Sequence, residues 1–198
     1  KELYANNDDL NFIRFNTQVR CLKDLSENQL CKKKLKKEKY ELLKMSDYLV
    51  FSTSWNEDDV DFLESILKEL NHEKTKTIIM SSSPTFHWTN VFTVLDKFVL
   101  QNYKLPSPEQ TKQLEEKLFT QIPNSVFERN KRLKKISKEN GLTYLDKFKY
   151  TCDLNKKRCK ILTDQYKKIY YDLGHYTLDG SFYFARLFKN LGWSELFK

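Results

Sequence analysis

Residues 47–84 read DYLVFSTSWNEDDVDFLESILKELNHEKTKTIIMSSSP, and their pattern decides the fold. DYLVFSTSW (47–55) is a short apolar run ending in small polar residues, the signature of a buried parallel strand. NEDDVDFLESILKELNHE then places Val60, Leu63, Leu67 and Leu70 on one helical face. Glu57, Asp58 and Asp59 suit the positive end of that helix's dipole. TKTIIMSSSP (75–84) is a second apolar run, stopped by Pro84. Strand, helix and strand in so short a span predict a parallel pair joined by a crossover.

The pattern continues outward. EQTKQLEEKLFTQI and SVFERNKRLKKISKENG read as helices, with Gly141 at the C′ position of the second. LTYLDKF (142–148) is a third short strand. LDGSFYFARLFKNLG reads as a last helix, with Phe184, Phe188 and Leu191 on one stripe and Gly192 closing it. LNFIRFNT (10–17) reads as a strand, and a helix is expected across the Lys-rich stretch to about Met45. Residues 88–103 fit neither period. The alternation predicts an α/β fold, a three-layer α/β/α domain on a parallel sheet spanning 1–198. Chemistry in such folds sits beyond the carboxyl ends of the strands. The candidate segments are therefore FSTSWN (51–56), MSSSPTF (80–86) and the loop before the last helix.

Composition fits one folded domain: 198 residues, 39% hydrophobic and 14% aromatic. With 4 Gly and 4 Pro the chain is not a loop-rich all-β design. No run of 18 apolar residues is present, no signal peptide is visible, and residue 1 is Lys, as in a processed or excised chain. The formal charge is +8, from 35 Lys and Arg against 27 Asp and Glu. Much of the excess lies in CKKKLKKEKYELLK (31–44), where Glu38 and Glu41 partly offset it, as on a solvated helix face. No zinc-finger spacing, RNA-recognition signature or Gly-rich phosphate loop supports a nucleic-acid partner, and none is expected.

Cys21, Cys31, Cys152 and Cys159 form two sequence-local pairs without C-x-x-C spacing. They suit two small disulfide loops and an oxidising compartment; the alternative is four buried thiols. No His, Cys and carboxylate cluster has metal-ligand spacing, so no metal or cofactor is expected. His72 lies among charges at a helix end, and His87 follows a strand.

YYDLGHYTLDG (170–180) carries the chemistry. Asp172 stands three residues before His175, just ahead of the last helix. A short turn can set that carboxylate against the imidazole Nδ1–H, leaving Nε2 to deprotonate a hydroxyl. Asp-x-x-His is common, and a His at a helix start is also a cap or core group, so spacing alone leaves both roles open. Asn56 suits the N-cap of the helix after it, whose first turn is acidic. Trp55 either lines a pocket or packs on the sheet. Ser52, Ser54, Ser81, Ser82 and Ser83 lie at strand exits without a glycine-flanked elbow and read as hydrogen-bonding loop residues.

The run from Tyr150 to Phe188 resembles the C-terminal end of SGNH hydrolase domains, in particular those fused to or working beside acyltransferase family 3 membrane proteins. LTYLDKF, the Cys152/Cys159 pair, KKIYYDLGH and the following Tyr176-Thr177-Leu178-Asp179-Gly180 turn carry the likeness, with DYLVFSTSW similar to the family's central strand and TIIMSSSPTF to the strand that follows it. The resemblance covers most of 1–198. It implies an SGNH/flavodoxin-like fold in which Asp172 and His175 are acid and base of a Ser-His-Asp triad, and it makes Asn56 an oxyanion donor as the alternative to the N-cap. The family's Gly-Asp-Ser nucleophile segment is absent from this chain. KELYANNDDL (1–10) looks like the helix that follows it, so the first strand and the serine are expected upstream of Lys1, in a longer protein of which this is the C-terminal part. The implied activity is O-acyl transfer to, or ester hydrolysis from, a surface glycan. An acyl-donating membrane domain would be the partner, on the periplasmic or extracellular face and tethered by a domain outside this chain. The alternative is an inactive SGNH-like glycan-binding or scaffolding domain.

Overall fold

The computed structural model describes residues 19, 41, 43, 45–69, 75–86, 92–172 and 174–197. The expected strand at 10–17, most of the Lys-rich helix, Cys21, Cys31, His72 and His87 lie outside these residues. The chain divides into two compact units. One contains Ser83–Val126 and Lys147–Lys198; the other contains the segment up to Ser82 and Phe127–Asp146.

The second unit holds the parallel sheet. Strands β1 (Tyr48–Phe51), β2 (Lys76–Met80) and β3 (Thr143–Leu145) lie in that order, all parallel. Phe51 stands opposite Ile79, and Ile79 opposite Tyr144. Thr77, Ile78, Ile79 and Met80 are all buried, as a central strand covered on both faces must be. Helix α1 (Glu57–Glu69) joins β1 to β2. Its Val60, Leu63, Ile66 and Leu67 meet Phe51, Ile79 and the Leu133 and Ile136 side chains in one apolar cluster. Leu133 and Ile136 come from the helix at Asn124–Glu139. That helix ends as its glycine requires: Gly141 adopts φ +65°, its N–H reaches Lys138 O, and Leu142 N–H reaches Ser137 O. Buried Asn130 grips the exit of β2, accepting from Ser82 N at 2.8 Å and donating to Ser82 O at 3.4 Å.

The first unit contains α2 (Val94–Asn102), in the stretch where the sequence was ambiguous, and α3 (Pro108–Phe119). Helix Asn124–Glu139 is α4 in chain order, followed by α5 (Phe148–Thr151) and α6 (Leu178–Asn190). Thr93 and Ser107 each close a capping box, which fixes where α2 and α3 start. Phe184 on α6 is buried and Phe188 half-buried, whereas Leu191 caps the helix and is 41% exposed, so the expected stripe stops one turn short. A short antiparallel hairpin, β4 (Cys152–Asp153) and β5 (Arg158–Cys159), pairs Cys152 directly with Cys159, and a disulfide joins them. The bridge closes a sequence separation of 7. Loop-closure entropy for so short a loop is about 2–3 kcal/mol. The double variant Cys152→Ser/Cys159→Ser is therefore expected to lower the denaturation midpoint of this unit, and an unchanged midpoint under oxidising conditions would show the hairpin to be held by its packing alone.

Candidate active site

The loop that carries Asp172 and His175 is built on a short antiparallel ribbon in the first unit. Tyr170 pairs with Tyr176, Tyr171 N–H donates to His175 O at 2.8 Å, and Thr177 N–H donates to Ile169 O at 2.8 Å. Side chains alternate across such a ribbon. Tyr170 is buried, and its ring lies 5.1 Å from Phe86 and 5.5 Å from Tyr176. Tyr176 in turn meets Phe184 at 4.8 Å. Tyr171 and His175, the next pair outward, face solvent. The aromatic pair inside therefore anchors the pair outside.

Thr177 ties the ribbon to α6. Its hydroxyl donates to Lys168 O at 2.5 Å and accepts from Gly180 N–H at 3.0 Å as the N-cap. Lys168 also pairs with both oxygens of Asp96 at 2.7 Å, which ties the ribbon to the capping box of α2. Burial raises the Asp96 carboxyl, but hydrogen bonds from Lys168 and Thr93 outweigh it and hold the group below its ordinary value. Ser83–Phe86, the segment that leaves β2, supports the loop from below. A side chain at Gly174 would stand 3.7 Å from Thr85 Cγ2 and 3.8 Å from Pro84 O. Burial pushes the Tyr176 hydroxyl up, and the neighbouring Ser83 side chain partly offsets this.

Within that frame Asp172 closes a local turn. One carboxylate oxygen accepts the backbone N–H groups of Gly174 and His175 at 3.3 and 3.1 Å. The same carboxylate meets His175 Nδ1, at 2.8 Å through Oδ1 and 3.0 Å through Oδ2. Partial desolvation would raise this carboxyl, but the backbone N–H and ring of His175, with Gly174 N–H, hold it below its ordinary value. An ionised carboxylate has no proton to give, so Nδ1 carries the hydrogen and Nε2 is the ring's basic nitrogen. The His175 side chain is 86% exposed, which leaves Nε2 open to a substrate hydroxyl. This is the pairing that Asp-x-x-His spacing suggests, made by the turn itself.

The other sequence candidates make local contacts of their own or stand exposed. Asn56 Oδ1 accepts Asp59 N–H at 2.8 Å and so caps α1. Trp55 is 3% exposed within the apolar cluster of its unit, and its Nε1–H donates to Met80 O at 2.8 Å. Ser81 Oγ bonds to Ser82 O and to Asp146, while Ser52 and Ser54 are exposed. No group of three or more His, Cys, Asp or Glu able to hold a metal occurs among the described residues. None of their helices is long and apolar enough to cross a membrane. Tyr171, exposed and bonded through its backbone to His175, was not singled out from the sequence. Its signal was present: in YYDLGHY, a Gly-containing loop between tyrosines sets a period of two, with Tyr171 on the His175 side.

Comparison with known proteins bears on the fold and the family. The structure resembles the periplasmic domain of a lipopolysaccharide acetyltransferase from Salmonella ser. Paratyphi A, with a TM-score of 0.53 and 15% identity. The match covers 76% of this chain and 56% of that chain, so the fold is shared while this chain spans little more than half of that domain. No curated protein matches the chain. The family model for the SGNH domain fused to AT3 domains matches residues 5–190. A match of that extent, on a parallel α/β sheet of the SGNH type, means that the chain belongs to the SGNH domain family of the kind fused to AT3 domains.

Proposed function

We propose that this domain transfers or hydrolyses O-acetyl groups of a cell-surface carbohydrate by a Ser-His-Asp mechanism, with His175 as base and Asp172 as its orienting carboxylate. The observation that carries the reading is the Asp172 carboxylate gripping His175 Nδ1 at 2.8 and 3.0 Å while the imidazole stands exposed. Family membership supports a role in glycan O-acetylation. The nucleophilic serine is proposed to lie upstream of Lys1. The acyl donor is proposed to be a membrane acyltransferase domain, and the site to face the periplasm or the cell exterior, tethered from outside this chain.

The steps balance as follows. His175 Nε2 takes the proton as the serine Oγ attacks the acyl carbonyl, and the tetrahedral oxyanion collapses with expulsion of the donor oxygen. The imidazolium returns the proton to that oxygen. An acceptor hydroxyl, of a sugar or of water, then gives its proton to Nε2 as it attacks the acyl-enzyme. On collapse the serine recovers the proton. Asp172 remains ionised and holds Nδ1–H throughout.

Tyr171 is proposed to present its ring to the sugar that bears the reacting group. It is 71% exposed and is the cross-ribbon partner of His175. Tyr171→Ala is expected to raise KM for a glycan ester by about tenfold, the loss of one ring contact. The kcat for a small ester without a sugar should stay unchanged. An equal loss on both esters would show that Tyr171 acts on the fold of the loop and not on the glycan. The test of the whole reading is turnover of p-nitrophenyl acetate and of an acetylated oligosaccharide by the full-length protein.

A further inference from the structure

A second cleft in the first unit, with a volume of about 380 Å³, lies along the far half of α6 and has no part in the chemistry above. The volume is at the small end of ligand-binding cavities. Its apolar wall comes from Tyr150 on α5 and from Tyr183, Leu187 and Leu191 at or beyond the helical spacing of α6. Facing it is the disulfide-closed hairpin with the residue just after it, which contribute Arg158 and Lys160. Lys149 completes the basic side from α5.

The charges are unequal. Lys149, Lys156, Arg158 and Lys160 line the cleft against two carboxylates, Glu115 and Asp153. Both carboxylates are engaged. Asp153 accepts Lys156 N–H at 3.0 Å and pairs with its ammonium at 3.4 Å. Glu115 is 8% exposed, bonds to Ile161 N–H and faces Lys160 and Arg158. The cations are less fully used. Arg158 Nε forms an ion pair with Glu116 at 3.7 Å, too long for a hydrogen bond. The Arg158 side chain is 24% exposed, so the rest of its guanidinium can give charge-assisted hydrogen bonds to an anion in the cleft.

We propose that this cleft binds an acidic sugar residue, with the C–H face of a pyranose on Tyr183 and Leu187 and its carboxylate or phosphate between Arg158, Lys149 and Lys160. An apolar floor with a cationic wall is complementary to such a residue, since a free anion needs no floor and a neutral sugar no wall. At about 1.5 Å per residue, Tyr183 to Asn190 lie roughly 9 to 20 Å along α6 from its N-cap Thr177. The cleft therefore holds a part of the glycan chain distant from the sugar at His175; this placement rests on the glycan-ester reading above. The disulfide serves the site by fixing the hairpin that supplies Arg158.

The test is titration calorimetry of the full-length protein with trigalacturonate, with maltotriose as the neutral probe and inorganic phosphate as charge without a ring. The double variant Lys149→Ala/Lys160→Ala changes two exposed side chains, and Leu187→Trp fills the cleft. Trigalacturonate is expected to bind about tenfold more tightly than either other probe, and about tenfold more weakly to each variant. Turnover of p-nitrophenyl acetate should be unchanged in the double variant. Equal binding of the two saccharides overturns the proposal, as does phosphate binding as tightly as trigalacturonate, or wild-type affinity in the double variant. The catalytic reading fails separately: selective trigalacturonate binding by a protein that cleaves no ester leaves the cleft standing and removes the triad.

Discussion

His175→Ala in the full-length protein is expected to lower kcat for acetyl esters by about 10⁴- to 10⁶-fold, the range seen when the base of a serine triad is removed. KM should change little, because an exposed imidazole contributes little to ground-state binding. The fold should be untouched for the same reason: the side chain is 86% exposed and its ring bonds to Asp172. Asp172→Asn is the sharper companion. The amide oxygen can still accept Gly174 and His175 N–H, so the turn persists. The carboxylate that fixes Nδ1–H is gone, and about 10⁴-fold in kcat should go with it. Asp172 is held below its ordinary carboxyl value, so the pair survives acidification until that depressed value is crossed. In the Asn variant the turn loses this dependence on acid, because an amide does not titrate. Wild-type turnover in either variant would remove these residues from the mechanism.

Gly180→Ala is expected to give the largest loss of stability from the addition of a single methyl group. Ala normally improves a helix interior by about 1 kcal/mol over Gly. Here a Cβ would stand 2.3 Å from Ile169 O and 2.9 Å from Ile169 Cα. Neither atom can swing aside, because Ile169 O also accepts Thr177 N–H and its own N–H is bonded to Ile161 O. Helix and ribbon must separate, at a cost of about 1–3 kcal/mol or more for overpacking. The ribbon is the support of Asp172 and His175, so kcat should fall even at temperatures where the protein stays folded. Gly141→Ala is the control. Nothing lies within 4 Å of its added Cβ, and its φ of +65° costs only about 1–2 kcal/mol, without effect on turnover. A denaturation midpoint for Gly180→Ala equal to wild type would mean that α6 does not seat against Ile169 as described.

What the sequence determined by itself was whatever depends on near neighbours. Residues 47–84 spelled a parallel strand pair because apolar runs and a helical stripe are local periodicities, and β1, α1 and β2 stand there. Gly141 was legible as a helix end because only the left-handed region lets the chain turn after Asn140. Asp172 and His175 were legible as a pair because three residues of turn suffice to join them. Contacts between distant residues needed the tertiary structure. Asn56 and Trp55 each had two roles open, and only the tertiary structure shows the Asn56 oxygen at Asp59 N–H and the Trp55 N–H at Met80 O. Gly180 read as one residue of a turn, whereas its real constraint is the backbone of Ile169 pressed against it. The basic cleft was invisible because Glu115, Lys149, Arg158 and Leu187 are far apart in the chain and meet only when the hairpin packs beside α6. Periodicity fixes which face of an element is apolar; which element covers that face is settled by the summed burial of the whole unit, which no local window of sequence contains.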